Sequence, residues 1–541
     1  MVSTHPTGVQ HSGSQYLPQR HDTSTNPSPN QELLPLTARV HDHDLLEIGG
    51  CDVTTLVEQF GSPLYILDEE TLRSACQQYR DAFKQYYKGE SQVLYASKAW
   101  NCLAVCAIAA SEGLGIDVVS GGELYTALQA GVSPNKIYLH GNNKSREELI
   151  LAIASGVTIV ADNWYELRTL VEIAGEQGSR GAGGDGGDEG DEGDEGDGGD
   201  EGDEGDEGDG GDEGDEGDGG DEGDEGDEGG GGVREVNSSS SSSSSPLPIR
   251  IMLRLTPGIE CHTHEYIRTG HLDSKFGFDP NDLDEVFTFV SQQSALNCVG
   301  VHAHIGSQIF ERQPHQDLAA VMVQWLRDAA KFGLNITELN VGGGLGIKYT
   351  ESDDPPSIEE WVKAICQVIQ EACAAENLPL PKLLSEPGRS LIATACVTAY
   401  TIGSSKVIPE IRTYVAIDGG MSDNPRPITY QSVYRAVVAN KMSFPLTETV
   451  TIAGKHCESG DILIKNALLP KTESGDILVV MGTGAYNYSM ASNYNRLPRP
   501  AAVVVANSEA NLILQRETYE DLIRQDRLPE RLKNQELGVK S

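Results

Sequence analysis

The sequence predicts an α/β protein with a (β/α)8 TIM-like barrel and a second, mostly-β domain. Between residues 93 and 386, eight short apolar, β-prone runs alternate with helix-like stretches. This alternation is typical of parallel strands joined by helices. After Leu391 closely spaced β-prone runs replace it. Eight β–α units suffice to close a barrel, and in that fold the chemistry lies at the carboxyl ends of the strands.

The predicted domains follow these changes of pattern. Residues 1–40, rich in Ser, Thr, Pro, His and Gln, are predicted to be a disordered tail, and residues 41–68 a segment that joins the β domain. The barrel is predicted over 69–390 and the C-terminal β domain over 391–541. A disordered acidic and serine-rich insert at 178–247 interrupts the barrel. Its position after the fourth helix places it at the amino-terminal face, as a tolerated insertion or an acidic interaction tract.

The positions of the strands and helices are predicted from short β-prone runs and helix-like stretches. The barrel strands are predicted at 93–97, 115–120, 136–140, 158–162, 249–255, 298–305, 338–341 and 383–386. The helices are predicted at 69–87, 102–112, 122–130, 145–155, 164–177, 282–292, 316–332 and 357–375. Ser145 and Glu148 form a capping-box pattern. The β domain is predicted to contain strands at 394–402, 413–417, 433–438, 448–452, 476–480 and 502–505, with 63–67 joining them.

Charge and cysteine content exclude several classes of protein. The formal net charge is −42, but residues 181–232 carry 26 of the 82 acidic residues and no Lys or Arg, leaving 56 acidic against 40 basic residues elsewhere. Such acidity argues against a nucleic-acid partner. No apolar run approaches the roughly 20 residues of a membrane helix. The ten cysteines form no CxxC pairs, so we expect no metal site, reduced thiols and a cytoplasmic location.

A lysine lies where the first barrel strand ends. The stretch YASKAWN places Lys98 between a β-prone run and a helix-like stretch. Burial lowers the pKa of an ammonium group, and the neutral amine that results reacts with aldehydes. The alternative is a lysine whose ammonium group simply extends into solvent.

The other strand ends also carry chemically useful groups. A glycine-rich turn after a barrel strand provides backbone N–H groups for a phosphate, although a tight turn also needs glycine. A lysine, a phosphate turn and a carboxylate at one barrel mouth together suit pyridoxal phosphate. The groups are Asp117–Ser120, His140, the run HAHIGS at 302–307, the run VGGGLG at 341–346 and the run SEPGR at 385–389.

Ten sequence motifs between roughly residues 45 and 510 resemble those of a known family and occur in the same order. They are YASKAWN, GIDVVSGGEL, HGNNKS, EYIRTGHLDSKFGF, GVHAHIGSQI, NVGGGLG, SEPGR, DGGMSDNPRPITY, CESGD and GTGAYNYSMASNYNR. On these motifs the chain resembles the fold-type III pyridoxal-phosphate decarboxylases, of alanine racemase-like architecture, and within them the diaminopimelate decarboxylase family. It departs from the usual YAxKAN pattern at Trp100, which displaces the asparagine to Asn101.

The resemblance implies roles for individual residues. Lys98 and Cys457 are the implied catalytic residues, as the lysine that binds the cofactor aldehyde and as the proton donor. Glu386 is implied beside the pyridine nitrogen, where its negative charge would keep that nitrogen protonated. The implied contacts of pyridoxal 5′-phosphate are Lys98, Asp117, His304, Ser307, Gly344, Glu386, Pro387, Gly388, Arg389 and Tyr486. The implied substrate contacts are Arg389, Arg426, Tyr430, Glu458 and Tyr486.

The implied reaction is decarboxylation of meso-2,6-diaminopimelate to L-lysine and CO2, the last step of lysine biosynthesis. Arg426 supports a substrate with a distal carboxylate, since guanidinium binds carboxylate bidentately. The resemblance also implies a homodimer in which Cys457 and Glu458 enter the partner's site. One alternative is a decarboxylase of ornithine, arginine or carboxynorspermidine. Another is a non-catalytic regulatory homologue, which we expect to lack Lys98 or Cys457; this chain has both.

Overall fold

The computed structural model describes residues 12–18, 27–182, 247–259 and 273–533. The chain divides into two units, one made of residues 1–174 and 248–541 and the other of residues 175–247. Apart from the end of one helix and Leu247, the predicted insert lies outside the described residues, as does most of the predicted motif EYIRTGHLDSKFGF.

The N-terminal part of the first unit contains a small antiparallel sheet, one helix and a longer strand. Helix α1 begins after Asp52, whose side chain accepts a hydrogen bond from the backbone N–H of Thr55, as expected of an N-cap. These elements are β1 (Arg39–Val40), β2 (Leu46–Ile48), β3 (Cys51–Asp52), α1 (Val53–Phe60) and β4 (Leu64–Asp68).

The stretch before β1 corrects the prediction of a disordered tail over residues 1–40 for the described residues 27–40. Asn30 and Leu34 are fully buried, and the backbone N–H of Leu36 donates to the Thr71 hydroxyl at 2.8 Å. Polar side chains attach this stretch to other backbone segments by hydrogen bonds. Such bonds leave no apolar period in the sequence, which is why the composition alone was misleading.

The barrel is closed by eight parallel strands, as predicted. Their order around the barrel is β10-β11-β12-β5-β6-β7-β8-β9. The strands are β5 (Ser91–Ala96), β6 (Gly115–Val118), β7 (Ile137–Leu139), β8 (Thr158–Ala161), β9 (Ile249–Arg254), β10 (Leu296–His302), β11 (Glu338–Asn340) and β12 (Lys382–Ser385). The barrel helices are α2 (Glu69–Tyr86), α3 (Leu103–Ser111), α4 (Gly121–Gln129), α5 (Arg146–Ser155), α6 (Trp164–Ala182), α7 (Leu283–Ser291), α8 (Gln313–Lys331), α9 (Ile358–Ala375) and α10 (Arg389–Ile392).

Two apolar cores support the barrel. A small cluster on five strands fills its interior, and a larger core packs the strands against the helices. The capping box predicted at Ser145 and Glu148 is present at the start of α5. Leu94, Tyr138, Val160, Met252 and Leu384 form the interior cluster. Because the interior is packed, only the ends of the barrel are available for binding.

The second domain is a mostly antiparallel sheet. Strand β4 pairs with β13 and with β19, so the sheet contains a strand that precedes the barrel in the chain. The strands are β13 (Cys396–Ile408), β14 (Arg412–Ile417), β15 (Ala436–Val438), β16 (Glu448–Ala453), β17 (Ile462–Leu469), β18 (Ile477–Val480), β19 (Ala501–Ala506) and β20 (Glu509–Leu514). Short helices are α11 (Arg426–Tyr430), α12 (Tyr519–Ile523) and α13 (Glu530–Lys533). The sequence analysis did not predict β17 or β20.

Nine of the ten cysteines lie among the residues that the structure describes. Nine cysteines are free thiols, eight of them buried and Cys457 exposed. Within the described ranges, every helix is too short or too polar to cross a bilayer.

Candidate active site

Lys98 lies at the carboxyl end of the first barrel strand. It belongs to the single 3-10 turn Ser97–Ala99, which continues β5. Its Nζ is 3.6 Å from Oδ2 of Asp117 on β6, and its side chain is 42% exposed, whereas the Asp117 side chain is fully buried. The strand end therefore opens into a space at the barrel mouth, and a carboxylate faces the ammonium group.

The expected depression of the Lys98 pKa is wrong. Burial lowers the pKa of the ammonium group, but Asp117, Tyr486 and Glu386 raise it to above the ordinary value. For Asp117 burial has the larger effect and raises the pKa of the carboxyl, although His140 and Lys98 act in the opposite direction. The sequence could not predict this result, because the neighbours of Lys98 come from other strands.

Glu386 follows β12 and is almost completely buried among hydrogen-bond donors. Asn340 Nδ2 donates to its Oε1 at 2.6 Å. His302 Nε2 lies 3.1 Å from Oε2, and His140 Nε2 lies 2.8 Å from Oε1. Burial raises the pKa of the carboxyl, but His140 and His302 outweigh it, so the pKa of Glu386 is well below its ordinary range.

His140, His302 and Asn340 are site residues that the sequence analysis did not assign. The two histidines were visible as strand-end residues, but nothing in the sequence indicated that both face Glu386. Burial lowers the pKa of His302 to about 4, so its ring is neutral at physiological pH. A neutral ring that donates Nε2–H to the carboxylate stabilises its ionised form without adding a positive charge.

His304 lies two residues beyond the end of β10, beside the glycine-rich turn. The backbone N–H of Gly343 donates to His304 Nδ1 at 3.2 Å, which leaves Nε2 as the protonated nitrogen of a neutral ring. Burial, together with Lys98 and Arg254, lowers the pKa of His304 well below its ordinary value. The imidazole at this position is therefore uncharged.

The glycine-rich turn packs against the turn after β12. Gly343 is so close to that turn that a Cβ there would lie 2.2 Å from the Glu386 carbonyl oxygen. Gly344 has φ +124°, a conformation that favours glycine. The backbone N–H groups of Gly344 and Gly388 donate to no residue that the structure describes. These two amides are available to an anion at the barrel mouth.

Arg389 connects this anion-binding region to a neighbouring cavity of about 540 Å³. Its Nε donates to the Ser307 hydroxyl at 3.2 Å, and its Nη1 donates to the Tyr349 hydroxyl at 2.7 Å. The guanidinium carbon also lies 4.9 Å from the centre of the Tyr486 ring. Pro387, between Glu386 and Gly388, completes this turn, and its carbonyl accepts from the backbone N–H of Ala96. Residues predicted from the sequence to bind the cofactor and residues predicted to bind the substrate therefore lie next to one another around Arg389.

Arg426 is the second arginine of this cavity. It is 5% exposed, donates to the Tyr434 hydroxyl at 3.0 Å and lies over the Tyr430 and Tyr486 rings. Among the described residues no carboxylate forms an ion pair with it; its hydrogen bonds go to hydroxyl groups. A buried guanidinium held by one tyrosine and one serine hydroxyl is suited to bind an incoming carboxylate.

Cys457 and Glu458 lie elsewhere, on the loop between β16 and β17. Cys457 is exposed, and its backbone N–H donates to Asn495 Oδ1. Glu458 lines a different cavity. Asp461 fixes this loop through the His456 ring at 2.6 Å and the Met421 N–H at 2.7 Å. No described contact joins Cys457 or Glu458 to the barrel mouth of the same chain.

Comparison with known proteins identifies the family. Residues 69–179 and 233–393 match the family described as pyridoxal-dependent decarboxylase, pyridoxal binding domain. A diaminopimelate decarboxylase of Synechocystis is 57% identical over 518 residues, which cover 94% of this chain and 96% of the relative. The chain belongs to the diaminopimelate decarboxylase family. A Bacillus subtilis member is 41% identical, over 91% of this chain and 97% of its own length.

Solved structures of the family agree with this membership. A diaminopimelate decarboxylase from M. jannaschii, solved in complex with L-lysine, has a TM-score of 0.75 at 30% identity, and the match covers 94% of this chain and 100% of the other. The predicted family, enzyme class and barrel-plus-β architecture are therefore confirmed. A lysine/ornithine decarboxylase from Vibrio vulnificus, at 19% identity and a TM-score of 0.60 over 87% of this chain and 100% of its own, shares the fold.

Proposed function

We propose that this member of the diaminopimelate decarboxylase family decarboxylates meso-2,6-diaminopimelate to L-lysine and CO2 with pyridoxal 5′-phosphate as its cofactor. One observation carries the proposal. The barrel mouth combines Lys98, an ionised Glu386 and an anion-binding glycine turn with Arg426, a buried arginine that has no acidic partner among the described residues.

The residues at the mouth fit pyridoxal phosphate. Lys98 supplies the amine for the aldehyde, and the amides of Gly344 and Gly388, with Ser307, would hold the phosphate. The neutral imidazole of His304 adds a flat surface without a charge. When bound, the cofactor supplies an electron sink for the pair that the departing CO2 leaves on the substrate.

Glu386 has the charge that such a cofactor requires. Asn340, His140 and His302 keep its carboxylate ionised although it is buried. A carboxylate beside the pyridine nitrogen favours the protonated ring, because opposite charges attract strongly where water is excluded. The Asn340 amide and the His302 ring hold the carboxylate by hydrogen bonds, and the His140 ring lies 2.8 Å from it, so its orientation needs no rearrangement when the cofactor binds.

The substrate assignment depends on Arg426. Diaminopimelate has a carboxylate at each end, and we assign its distal carboxylate to Arg426 with Tyr430 beside it. Arg389 and Tyr486 lie between this position and the cofactor turn. Ornithine and arginine carry a distal cation, which a buried guanidinium would repel.

Proton return to the substrate carbon requires a second chain in this proposal. Cys457 and Glu458 have no described contact with their own barrel mouth, and Cys457 is exposed. A homodimer would bring the Cys457 thiol and the Glu458 carboxylate of one chain to the site of the other. The bonds of Asp461 to His456 and Met421 hold this loop in one conformation.

A substrate panel tests the proposed function. The purified full-length chain, supplied with pyridoxal phosphate, is assayed for CO2 release from meso-diaminopimelate, ornithine, arginine, lysine and carboxynorspermidine. We expect activity on meso-diaminopimelate with L-lysine as the product, and at least about a hundredfold lower kcat/KM on the others. A preference for a substrate with a distal cation would contradict the role of Arg426.

A further inference from the structure

An N-terminal segment crosses the loop that follows β11. The segment is Ser28–Gln31, and its central residue, Asn30, is fully buried. Asn30 Nδ2 donates to the Gly346 carbonyl at 3.1 Å and to the Pro356 carbonyl at 2.9 Å. The Asn30 carbonyl in turn accepts from the backbone N–H of Lys348 at 2.9 Å. One residue therefore makes three hydrogen bonds to a loop more than 300 positions away in the chain.

The neighbours of Asn30 hold it in this orientation. The Ser28 hydroxyl donates to Asn30 Oδ1 at 2.7 Å and accepts from the Ile358 N–H, at the start of α9, at 3.1 Å. Gln31 Nε2 donates to the Pro355 carbonyl at 2.9 Å. The amide of Asn30 thus has partners for both its oxygen and its nitrogen, which fixes which atom faces the loop.

The loop that Asn30 contacts connects the anion-binding glycine turn with the region of Arg389. It begins with the turn of Gly344, whose amide is available to an anion, and it continues to Tyr349, whose hydroxyl accepts from Arg389. Two of the loop residues that bond to Asn30 are Gly346 and Lys348. Both lie between Gly344 and Tyr349 in the chain. A shift at Gly346 or Lys348 would therefore move the anion-binding turn relative to the arginine.

We propose that Asn30 is a positioning residue that holds the loop after β11 in the conformation that binds the cofactor phosphate. The inference rests on the proposed function, because it assigns that turn to pyridoxal phosphate. Asn30 does not touch the reacting atoms; it acts through Gly346 and Lys348. The site consequently depends on a segment that precedes the barrel in the chain.

Comparing the binding of pyridoxal phosphate and of pyridoxal distinguishes this role from a general effect on folding. Asn30→Asp keeps the shape of the side chain but, when ionised, removes both donated hydrogen bonds; Asn30→Ala removes the side chain. For each apoprotein, the Kd of pyridoxal phosphate and the Kd of pyridoxal, which lacks the phosphate, are measured by fluorescence quenching. We expect the Kd of pyridoxal phosphate to rise about tenfold, because two carbonyls lose their donors, and the Kd of pyridoxal to stay within about twofold.

Val286→Ala on α7 is the control for lost stability. Val286 is fully buried and lies outside the site, so its truncation should lower the melting temperature without changing the ratio of the two Kd values. An equal rise of both Kd values in the Asn30 variants, or no rise in either, overturns the inference and leaves the proposed function standing. A wild-type chain that binds no pyridoxal phosphate would contradict the proposed function and, with it, this inference.

Discussion

Glu386 and Arg426 are two buried charged residues whose surroundings keep them charged. The carboxylate of Glu386 is surrounded by Asn340, His140 and His302, all of which have an N–H that can point at it. The guanidinium of Arg426 is held by the Tyr434 hydroxyl. Removing a charge from water is costly unless hydrogen bonds compensate. Both sites meet that requirement. Two histidine rings and an amide surround Glu386, and no carboxylate of the described residues pairs with Arg426, which leaves that guanidinium available to a ligand.

Substitution of Arg426 tests the distal-carboxylate assignment. Arg426→Gln should raise the KM for meso-diaminopimelate about 10- to 100-fold, because a charge-assisted hydrogen bond contributes about 1.5–3 kcal/mol. Steady-state kinetics on the folded variant provide the measurement. Arg435→Gln is the matched control, since Arg435 lines the same cavity but pairs with Glu351 at 2.8 Å. Equal effects of the two substitutions would argue against a specific role for Arg426.

At the residue scale, the sequence predicts which residue types stand at the strand ends but not their contacts. Lys98, Glu386 and Arg426 could be singled out from motifs. The raised pKa of Lys98 could not be predicted from the sequence, because it depends on Asp117 from the next strand. The same holds for His140, whose position beside Glu386 is set by the closure of the barrel and by no local pattern.

Helix α8 carries a histidine that makes the stability of the barrel sensitive to acid. His315, in its first turn, is 2% exposed, and within the described residues neither ring nitrogen has a hydrogen-bond partner. Its ring packs edge-on against Trp361 at 5.3 Å, and a Cβ on Gly344 would come within 2.9 Å of it. Burial lowers the pKa of His315 to about 3.

The low pKa of His315 predicts that the free energy of unfolding decreases as the pH falls. Between about pH 6.5 and about pH 3 the unfolded chain binds one proton at this position that the folded chain does not. His315 alone should therefore lower the free energy of unfolding by about 1.4 kcal/mol for each pH unit as the pH decreases through this range, in addition to the effect of His302 and His304. His315→Phe should reduce the slope by about that amount, whereas His41→Phe at an exposed position should not. Urea titrations between about pH 7 and about pH 5 measure the slopes; identical slopes in wild type and His315→Phe would contradict the prediction.

At the element scale, periodicity predicted the barrel strands and helices well. Helix α9, for example, has a capping box at Ser357 and Glu360 and a buried apolar face, both readable from the sequence. The segment Ser28–Gln31 could not be predicted, because its order depends on hydrogen bonds to a distant loop. Strand β17 was missed for a related reason: its burial alternates irregularly around Asn466, which has a positive φ.

At the scale of the whole molecule, the proposed role of Cys457 requires two chains for each active site. Lys98→Ala and Cys457→Ala should each be nearly inactive alone, because one lacks the amine for the cofactor and the other the proton donor. After dissociation and random reassembly, half the dimers are mixed, and each mixed dimer has one intact site. About a quarter of wild-type activity should therefore return, as two-fold symmetry requires. Subunit exchange without recovered activity would show that Cys457 acts within its own chain or not at all.

The covalent position of the cofactor tests the central claim most directly. The purified chain is incubated with pyridoxal phosphate, reduced with borohydride, digested and analysed by mass spectrometry, with Lys98→Ala and Lys144→Met as comparison variants. Lys144 also lies in a loop that follows a barrel strand, between β7 and α5, but its ammonium group is buried against Glu166 at 2.8 Å. We predict one reduced pyridoxyl group on Lys98 in the wild type and in any folded Lys144→Met protein, and none in Lys98→Ala. A label on another lysine, or a Lys98→Ala protein that is labelled as fully as the wild type, would contradict the account.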